Sequence, residues 1–371
     1  SAKCYEILVD EFQDTNEFQY EIFKIINNVG LSSFFLVGDP KQRIFTFAGA
    51  IEDAFERAKE DFRAKCYNLT EAYRSTDNIV KTYSCLFDDH PLVENKSEWA
   101  NIPVEVKIIE TTKDNNSRIV EDILNRLNNH WKVKPDEIAI LSTSWFSAYS
   151  LSKDLRRMFP LVGLGALPHK YISNSTMSLL KELSKYRVNS TIKNLRAIKR
   201  SVEVHLLENN LEISDNNINK ATNYLITEFL KLDINKSIDQ GLKDVRNIFN
   251  RSFKQDHLTF DIVLDKTDSS ELNIWTLEKY INTLAGVGGI HCNTIHKAKG
   301  LEYDAVILNG MNENKIPHQK LLCRKTYLYQ GLSLTDIEEG RNLFYVAVSR
   351  ARKYLIVLHN WKPSMFINTI K

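Results

Sequence analysis

Asp10 and Glu11 are adjacent carboxylates that close an apolar run containing Tyr5, Ile7, Leu8 and Val9. Such a run reads as a buried strand, and the C-terminal ends of strands are where open α/β sheets place their ligands. One carboxylate at such an end can hold Mg²⁺ on a nucleotide, and a second beside it can orient or deprotonate a water. An Asp-Glu pair alone is ordinarily a solvated strand end. Gln13 and Asp14, which follow Phe12, extend the polar set beyond what a plain strand end requires.

A second apolar run, Phe34-Phe35-Leu36-Val37, leads into Gly38-Asp39-Pro40-Lys41-Gln42-Arg43. Gly and Pro close that strand sharply, which leaves Gln42 at the sheet edge to hydrogen-bond a phosphate or a water. Phe45 and Phe47 come next, in a loop beside Lys41 and Arg43. Aromatic rings next to cations suit the stacking of unpaired bases; two Phe residues in a loop equally suit core anchors.

These segments belong to an ordered set. Asp10-Glu11-Phe12-Gln13-Asp14 resembles motif II, and Gly38 to Ala50 resembles motif III, of the UvrD/Rep-type superfamily 1 DNA helicases. Leu69-Thr70-Glu71-Ala72-Tyr73-Arg74-Ser75 resembles motif IV, Thr294 to Glu302 motif V, and Asn342 to Ala351 motif VI. The resemblance spans nearly the whole chain. It implies two RecA-like parallel sheets, one partial and one fuller, with ATP and Mg²⁺ as cofactors. Asp10 is then the Mg²⁺ partner, Glu11 the residue that activates the attacking water, and Gln42 the sensor of the γ-phosphate. Arg74 and Arg350 reach the γ-phosphate, where an arginine is worth on the order of 10³–10⁵ in rate. Tyr73 stacks on the base, with Gly300 and Glu302 on the nucleotide. Phe45, Phe47, Thr294, His296 and Lys299 contact single-stranded DNA, and His296 and Lys299 are also placed to relay the nucleotide state.

The chain departs from the family pattern in places. Phe47-Ala48 stands where Trp-Arg is usual, which weakens the stacking platform and removes a charge. Ala72 replaces a common Asn, and motif VI opens Glu339-Gly340-Arg341-Asn342 rather than with a double Arg. The segment 142–147 lacks the Arg often found there, and Trp145 is either a substitute stacking group or core.

The remaining composition sets bounds. The 371 residues have room for two or three domains. A net charge of +2 confines any basic groove to a local patch. The five cysteines form no Cys-x-x-Cys pair, which argues against a disulfide framework or zinc site and fits a reducing cytoplasm. No apolar run has membrane-spanning length. The chain opens with Ser1-Ala2 rather than Met and contains no Gly-x-x-x-x-Gly-Lys-Ser/Thr phosphate loop. In the resembled family that loop precedes motif II, so the expectation is a piece of a longer polypeptide, inactive as an ATPase by itself.

Periodicity then assigns the elements. Residues 1–73 read as the C-terminal part of a first RecA-like domain: a strand, a helix at Glu17–Asn28, a strand, the aromatic loop, a helix at Ala50–Asp61 and a short strand at Cys66–Leu69. Residues 74–173 and 288–371 read as a second such domain. It opens with a helix at 75–88, followed by a polar loop at 88–101. Strands follow at Val104–Ile109 and Glu137–Leu141, with helices at Ser117–Trp131 and Ala148–Met158. Further strands lie at 291–295, 303–309 and 353–359. Residues 174–287 read as a reduced, helical, 2B-like accessory insertion. The fold class is therefore α/β with a helical insertion. The expected function is part of an ATP-dependent single-stranded DNA translocase or helicase, 3′→5′ by resemblance, acting on single strands or single/double-strand junctions. The setting is repair, recombination or, by likeness to compact UvrD-like helicases of Gabija-type systems, anti-phage defence with a protein partner. The alternative is a nucleotide-sensing subunit that does not unwind.

Overall fold

The computed structural model describes residues 5–88, 93–104, 106–323, 328–360 and 362–370. Parts of the readings at 1–4, 88–101 and 104–109 fall on residues outside these ranges. The chain forms two compact units: Ser1–Val120 with Ile140–Ser144 and Thr294–Lys371, and Glu121–Ala139 with Trp145–Asn293. Among the described residues no helix is long and apolar enough to cross a membrane.

In the first unit, strands Glu6–Val9 and Ser33–Leu36 pair in parallel, with Leu8 opposite Phe35. The crossover between them is the helix Glu17–Val29. It starts at a reciprocal capping box, in which Asn16 accepts from the Gln19 amide and Gln19 accepts from the Asn16 amide, and it stops at Gly30 in a left-handed conformation. Phe12, Tyr20, Ile51, Ala54 and Ala58 make a small core beneath it.

A fuller parallel set lies in the same unit. Lys107–Glu110, Ala351–His359 and Tyr303–Asn309 are hydrogen-bonded in that order. Their central residues, Val306, Ile307, Leu308, Leu355 and Val357, are all buried, the continuous apolar pattern expected of parallel strands covered on both faces. The helix Leu334–Val348, capped by Ser333 and Asp336, packs here and carries motif VI.

Several boundaries differ from the sequence reading. Residues 66–69 form no strand; the pairing falls instead on Glu71–Ala72, opposite Glu94–Asn95, inside the expected polar loop. Tyr67 and Leu69 are exposed and had no buried face to occupy. The helix expected over 75–88 is shorter, Asp77–Ser84, with Thr76 at its N-cap. The helix expected to reach Trp131 is α-helical over Asn116–Asn125 and finishes as a π-turn at Arg126–His130.

The second unit is mainly helical. Helices Ser175–Val188, Ile192–Glu208, Asp215–Leu230, Ile238–Phe253 and Leu277–Ala285 surround Leu180, Ile198, Val202, Leu225, Phe229, Val245 and Tyr280. The polar joints between them have a structural purpose. Asn174, Thr191, Ser214, Ser237 and Thr276 each accept a hydrogen bond from the backbone amide three residues on, so every one of these helices starts at a side-chain cap. Gly241 allows a close helix contact, because a Cβ there would lie 2.7 Å from that of Leu277. A short parallel pair, Leu161–Gly163 against residues 290–292, completes the unit.

Candidate functional site

The turn after the first strand is set by backbone geometry. Glu11 sits in the left-handed region at φ 53°, the Phe12 amide donates to the Val37 carbonyl at 2.9 Å, and residues 12–14 wind into a 3₁₀ turn. The Glu11 amide donates to Asp10 Oδ1 at 2.8 Å. Gln13 ties the two strand ends together. Its Nε2 donates to Glu11, and its Oε1 accepts the Asp39 amide at 3.0 Å. Glycine suits position 38 because a Cβ there would stand 2.9 Å from the Phe12 backbone nitrogen and would displace the Gln13 amide oxygen, 2.2 Å away.

Asp39, which sequence reasoning did not single out, is the hub of motif III. Its Oδ1 accepts the Lys41 amide at 3.0 Å. Its Oδ2 accepts from Gln42 Nε2 and from the Tyr345 hydroxyl, both at 3.1 Å. Gln42 is thereby fixed with its amide oxygen turned to Arg350 Nη2 at 3.3 Å.

Two cations meet these carboxylates and amides. The Lys299 ammonium, 6% exposed, lies 2.5 Å from Asp14 Oδ2 and 3.5 Å from Glu11 Oε2, and it donates to the Gln42 carbonyl at 2.8 Å. Burial raises the Asp14 carboxyl above its ordinary range, and Lys299 offsets this only in part. The other oxygen of Asp14 is buried without a hydrogen-bond partner among the described residues. Arg350 is 2% exposed. It donates to the carbonyls of Val346 and Leu301, to the Ser349 hydroxyl and to Gln42. Among the described residues no carboxylate pairs with it. Burial, with the nearby Arg74 charge, pushes it down to about 10, so it stays a cation at neutral pH.

Arg74 donates to Glu302 Oε2 at 2.5 Å and to the Ser349 carbonyl at 3.1 Å. Burial would raise Glu302, but Arg74 and Arg352 together hold its carboxyl below the ordinary range. Tyr73 is 67% exposed, which rules out a core role, and its hydroxyl donates to Glu71. Gly300 follows Lys299 at φ 77°. Thr294 is the N-cap residue of the short helix Ile295–Ala298, and its hydroxyl makes no capping bond.

Phe45, Phe47 and His296 form a second cluster. Their ring centroids are 5.8 to 6.1 Å apart, and burial lowers the His296 pKa, which favours the neutral ring. Phe47 is 77% exposed, so it is not a core anchor. Phe47 and His296 border a cleft of about 560 Å³ that Thr143, Ser144, Asn314, Lys315, His318 and Tyr329 also line. Thr143 and Ser144 belong to the segment 142–147 noted in the sequence, whereas the other four did not stand out there; Asn314 to His318 form a polar turn held by a bridge between Lys315 and His318. Lys299 joins the two clusters, because its ammonium lies 5.3 Å from the Phe45 ring centre. In the second unit, Trp145 is half exposed and already stacked on Tyr149, with centroids 4.9 Å apart.

The geometry therefore offers two carboxylates at a strand end, an unpaired buried guanidinium facing them across Gln42, and an aromatic cleft one side chain away. Residues 1–63 match the family model for the UvrD/REP helicase N-terminal domain, and residues 272–361 match that for the UvrD-like helicase C-terminal domain. The chain is 26% identical over 434 residues to a probable DNA helicase II homolog of Mycoplasma pneumoniae, covering 100% of this chain and 57% of that protein. It is 27% identical over 425 residues to the ATP-dependent DNA helicase Rep of Buchnera aphidicola, covering 95% and 61%. It is 26% identical over 390 residues to the Gabija protein GajB of Bacillus cereus, covering 100% and 66%. The chain thus spans about three fifths of the length of the relatives it matches. With both domain models placed in order around the motif residues, the chain is similar to UvrD/Rep-type helicases near both of its ends.

Proposed function

We propose that this chain is the motif II to VI portion of an ATP-driven translocase on single-stranded DNA, moving 3′→5′ as the family resemblance implies. The observation that carries the reading is Arg350, a buried guanidinium with no carboxylate partner among the described residues, 3.3 Å from Gln42. A buried, uncompensated cation is costly unless an anion completes it, and a planar guanidinium suits phosphate oxygens.

Asp10 is the residue that would hold Mg²⁺, whose chemistry is to neutralise phosphate charge. Glu11 orients or deprotonates the attacking water. Gln42, clamped by Asp39, reports on the phosphate position. Arg350 and, after release from Glu302, Arg74 stabilise charge developing on the transferred group. Lys299 carries that state to Phe45, whose ring together with Phe47 and His296 supports unpaired bases without reading sequence.

The test is DNA-stimulated ATP hydrolysis by the protein that carries this chain. Glu11→Gln is expected to lower the stimulated rate by on the order of 10²–10⁴ while single-strand affinity holds within about threefold. Undiminished turnover in that variant sinks the assignment. Phe47→Ala is expected to weaken single-strand binding by about 1–3 kcal/mol.

A further inference from the structure

Arg74 shares its carboxylate with a second arginine. Glu302 accepts from Arg74 through Oε2, and through Oε1 it accepts from Arg352 Nε at 3.2 Å and Nη2 at 3.0 Å. Arg352 also donates to Asp304 Oδ1 at 3.2 Å, and Asp304 Oδ2 accepts from Lys353 at 2.9 Å. The charges therefore alternate along a row: Arg74, Glu302, Arg352, Asp304, Lys353. Trp99 closes the far end, its ring centre 3.7 Å from the Lys353 ammonium. The row carries three cations against two carboxylates, so one cation can leave it without leaving an acid unmatched.

Arg74 is the cation built to leave. Its main chain is pinned on both following residues: Ser75 Oγ donates to the Ala351 carbonyl at 2.6 Å, and the Thr76 amide donates to the Arg352 carbonyl at 2.9 Å. The root of Arg74 is thus fixed to the strand that carries Arg352, and its side chain is what can move. The side chains of Arg74, Glu302 and Arg352 are 37%, 41% and 26% exposed. Pairs this wet are weak and exchange readily. The Arg156–Glu271 pair of the helical unit, 4% and 1% exposed, is the opposite case, because opening it would strand a buried charge.

We propose that Arg352 is a positioning residue for hydrolysis: it retains Glu302 while Arg74 turns to the γ-phosphate, so that Arg74 is held ready without being trapped. This rests on the ATP-motor reading of the site. Each oxygen of Glu302 serves one arginine, so Arg74 can depart without any movement of Arg352. Arg352 already answers part of the carboxylate charge and so weakens its hold on Arg74. Take Arg352 away, and Arg74 becomes the one cation paired with Glu302 among the described residues. Its release then costs more. Charge on the transferred phosphoryl group is stabilised in the transition state, and an interaction completed there acts on kcat rather than on binding.

The experiment is a double-mutant cycle on DNA-stimulated ATP hydrolysis by the protein that carries this chain. Arg352→Gln is made with Glu302 present and again with Glu302→Gln. With Glu302 present, Arg352→Gln should lower kcat by about fivefold and hold the KM for ATP within about twofold. Arg352→Lys keeps the charge and should recover kcat to within about twofold of the parent. In the Glu302→Gln background, whatever that change does by itself, Arg352→Gln should alter kcat by less than about 1.5-fold. A merely structural role would act equally in both backgrounds. Equal loss in the two, no loss in either, or a change confined to KM would overturn the proposal. Asp304 keeps Lys353 in every variant, and thermal melts verify folding. Glu11→Gln, measured alongside, separates the two levels of the argument. If it leaves turnover undiminished, the ATP-motor reading falls and this inference with it. If it abolishes turnover while the cycle shows no coupling, the role of Arg352 falls alone.

Discussion

Two parallel sheets of the first unit, the pair Glu6–Val9 with Ser33–Leu36 and the fuller one, are built from similar residues and covered very differently. In the fuller one, Leu308 on Tyr303–Asn309 is completely buried; in the two-stranded one, Leu8 is 73% exposed and its partner Phe35 63% exposed. The exposed surface continues along the crossover helix through Phe18, Ile22, Ile25 and Val29, an apolar stripe at helical spacing that turns away from the small core. Parallel strands are stable when both faces are covered, so this half of the molecule has a face that further polypeptide would bury. The cations of the candidate site thus rest on a closed scaffold, and Asp10 and Glu11 rest on an open one.

Removing the chemistry contributed by the closed side should have the largest effect. Arg350→Ala is expected to lower stimulated hydrolysis by on the order of 10³–10⁵, and a loss below tenfold would detach this guanidinium from the reaction. Stability should then separate the two sheets. Leu308→Ala should cost about 2–5 kcal/mol in a denaturant melt, whereas Leu8→Ala should fall within about 0.5 kcal/mol; equal costs would show that the small sheet is packed after all.

An acid titration compares both sheets with the helical unit. His205, fully buried, has its Nδ1 3.0 Å from Ser175 Oγ, and its ring lies 5.0 Å from that of His257. Burial, with His257 nearby, pushes its pKa down to about 4. A folded pKa below the ordinary 6.5 contributes stability that is present above pH 6.5 and is lost as pH falls toward 4, up to about 3 kcal/mol. His205→Gln should flatten that slope in pH-dependent melts. The smallest effect belongs to the open face: Leu8→Lys with Phe35→Lys should leave the melting midpoint nearly unchanged and lower self-association in light scattering.

Both strands of the small sheet, the crossover helix and the helical insertion were legible because their apolar periods are strong and their caps are explicit. The Cys66–Leu69 strand was misread because Tyr67 and Leu69 look like strand residues, and periodicity does not reveal that no partner lies alongside. Motif spacing pointed to Glu11, Gln42, Lys299 and Arg350 but not to their mutual contacts, which join residues about 300 apart in sequence. Asp39 and Tyr345 were missed for the same reason: each is ordinary until the fold brings them to 3.1 Å. Asn314 to His318 form an irregular turn, and irregular polar turns carry no period to read.

At Glu11 the main chain itself does the aiming. A non-glycine residue at φ 53° costs about 1 kcal/mol or more, and that tension lasts only while Phe12, Gln13 and Gly38 keep the bend locked. Loosening any of the three would let the peptide relax and turn the acid away from Gln13 and Lys299, so the proposed hydrolysis could be lost with every charged group still in the sequence.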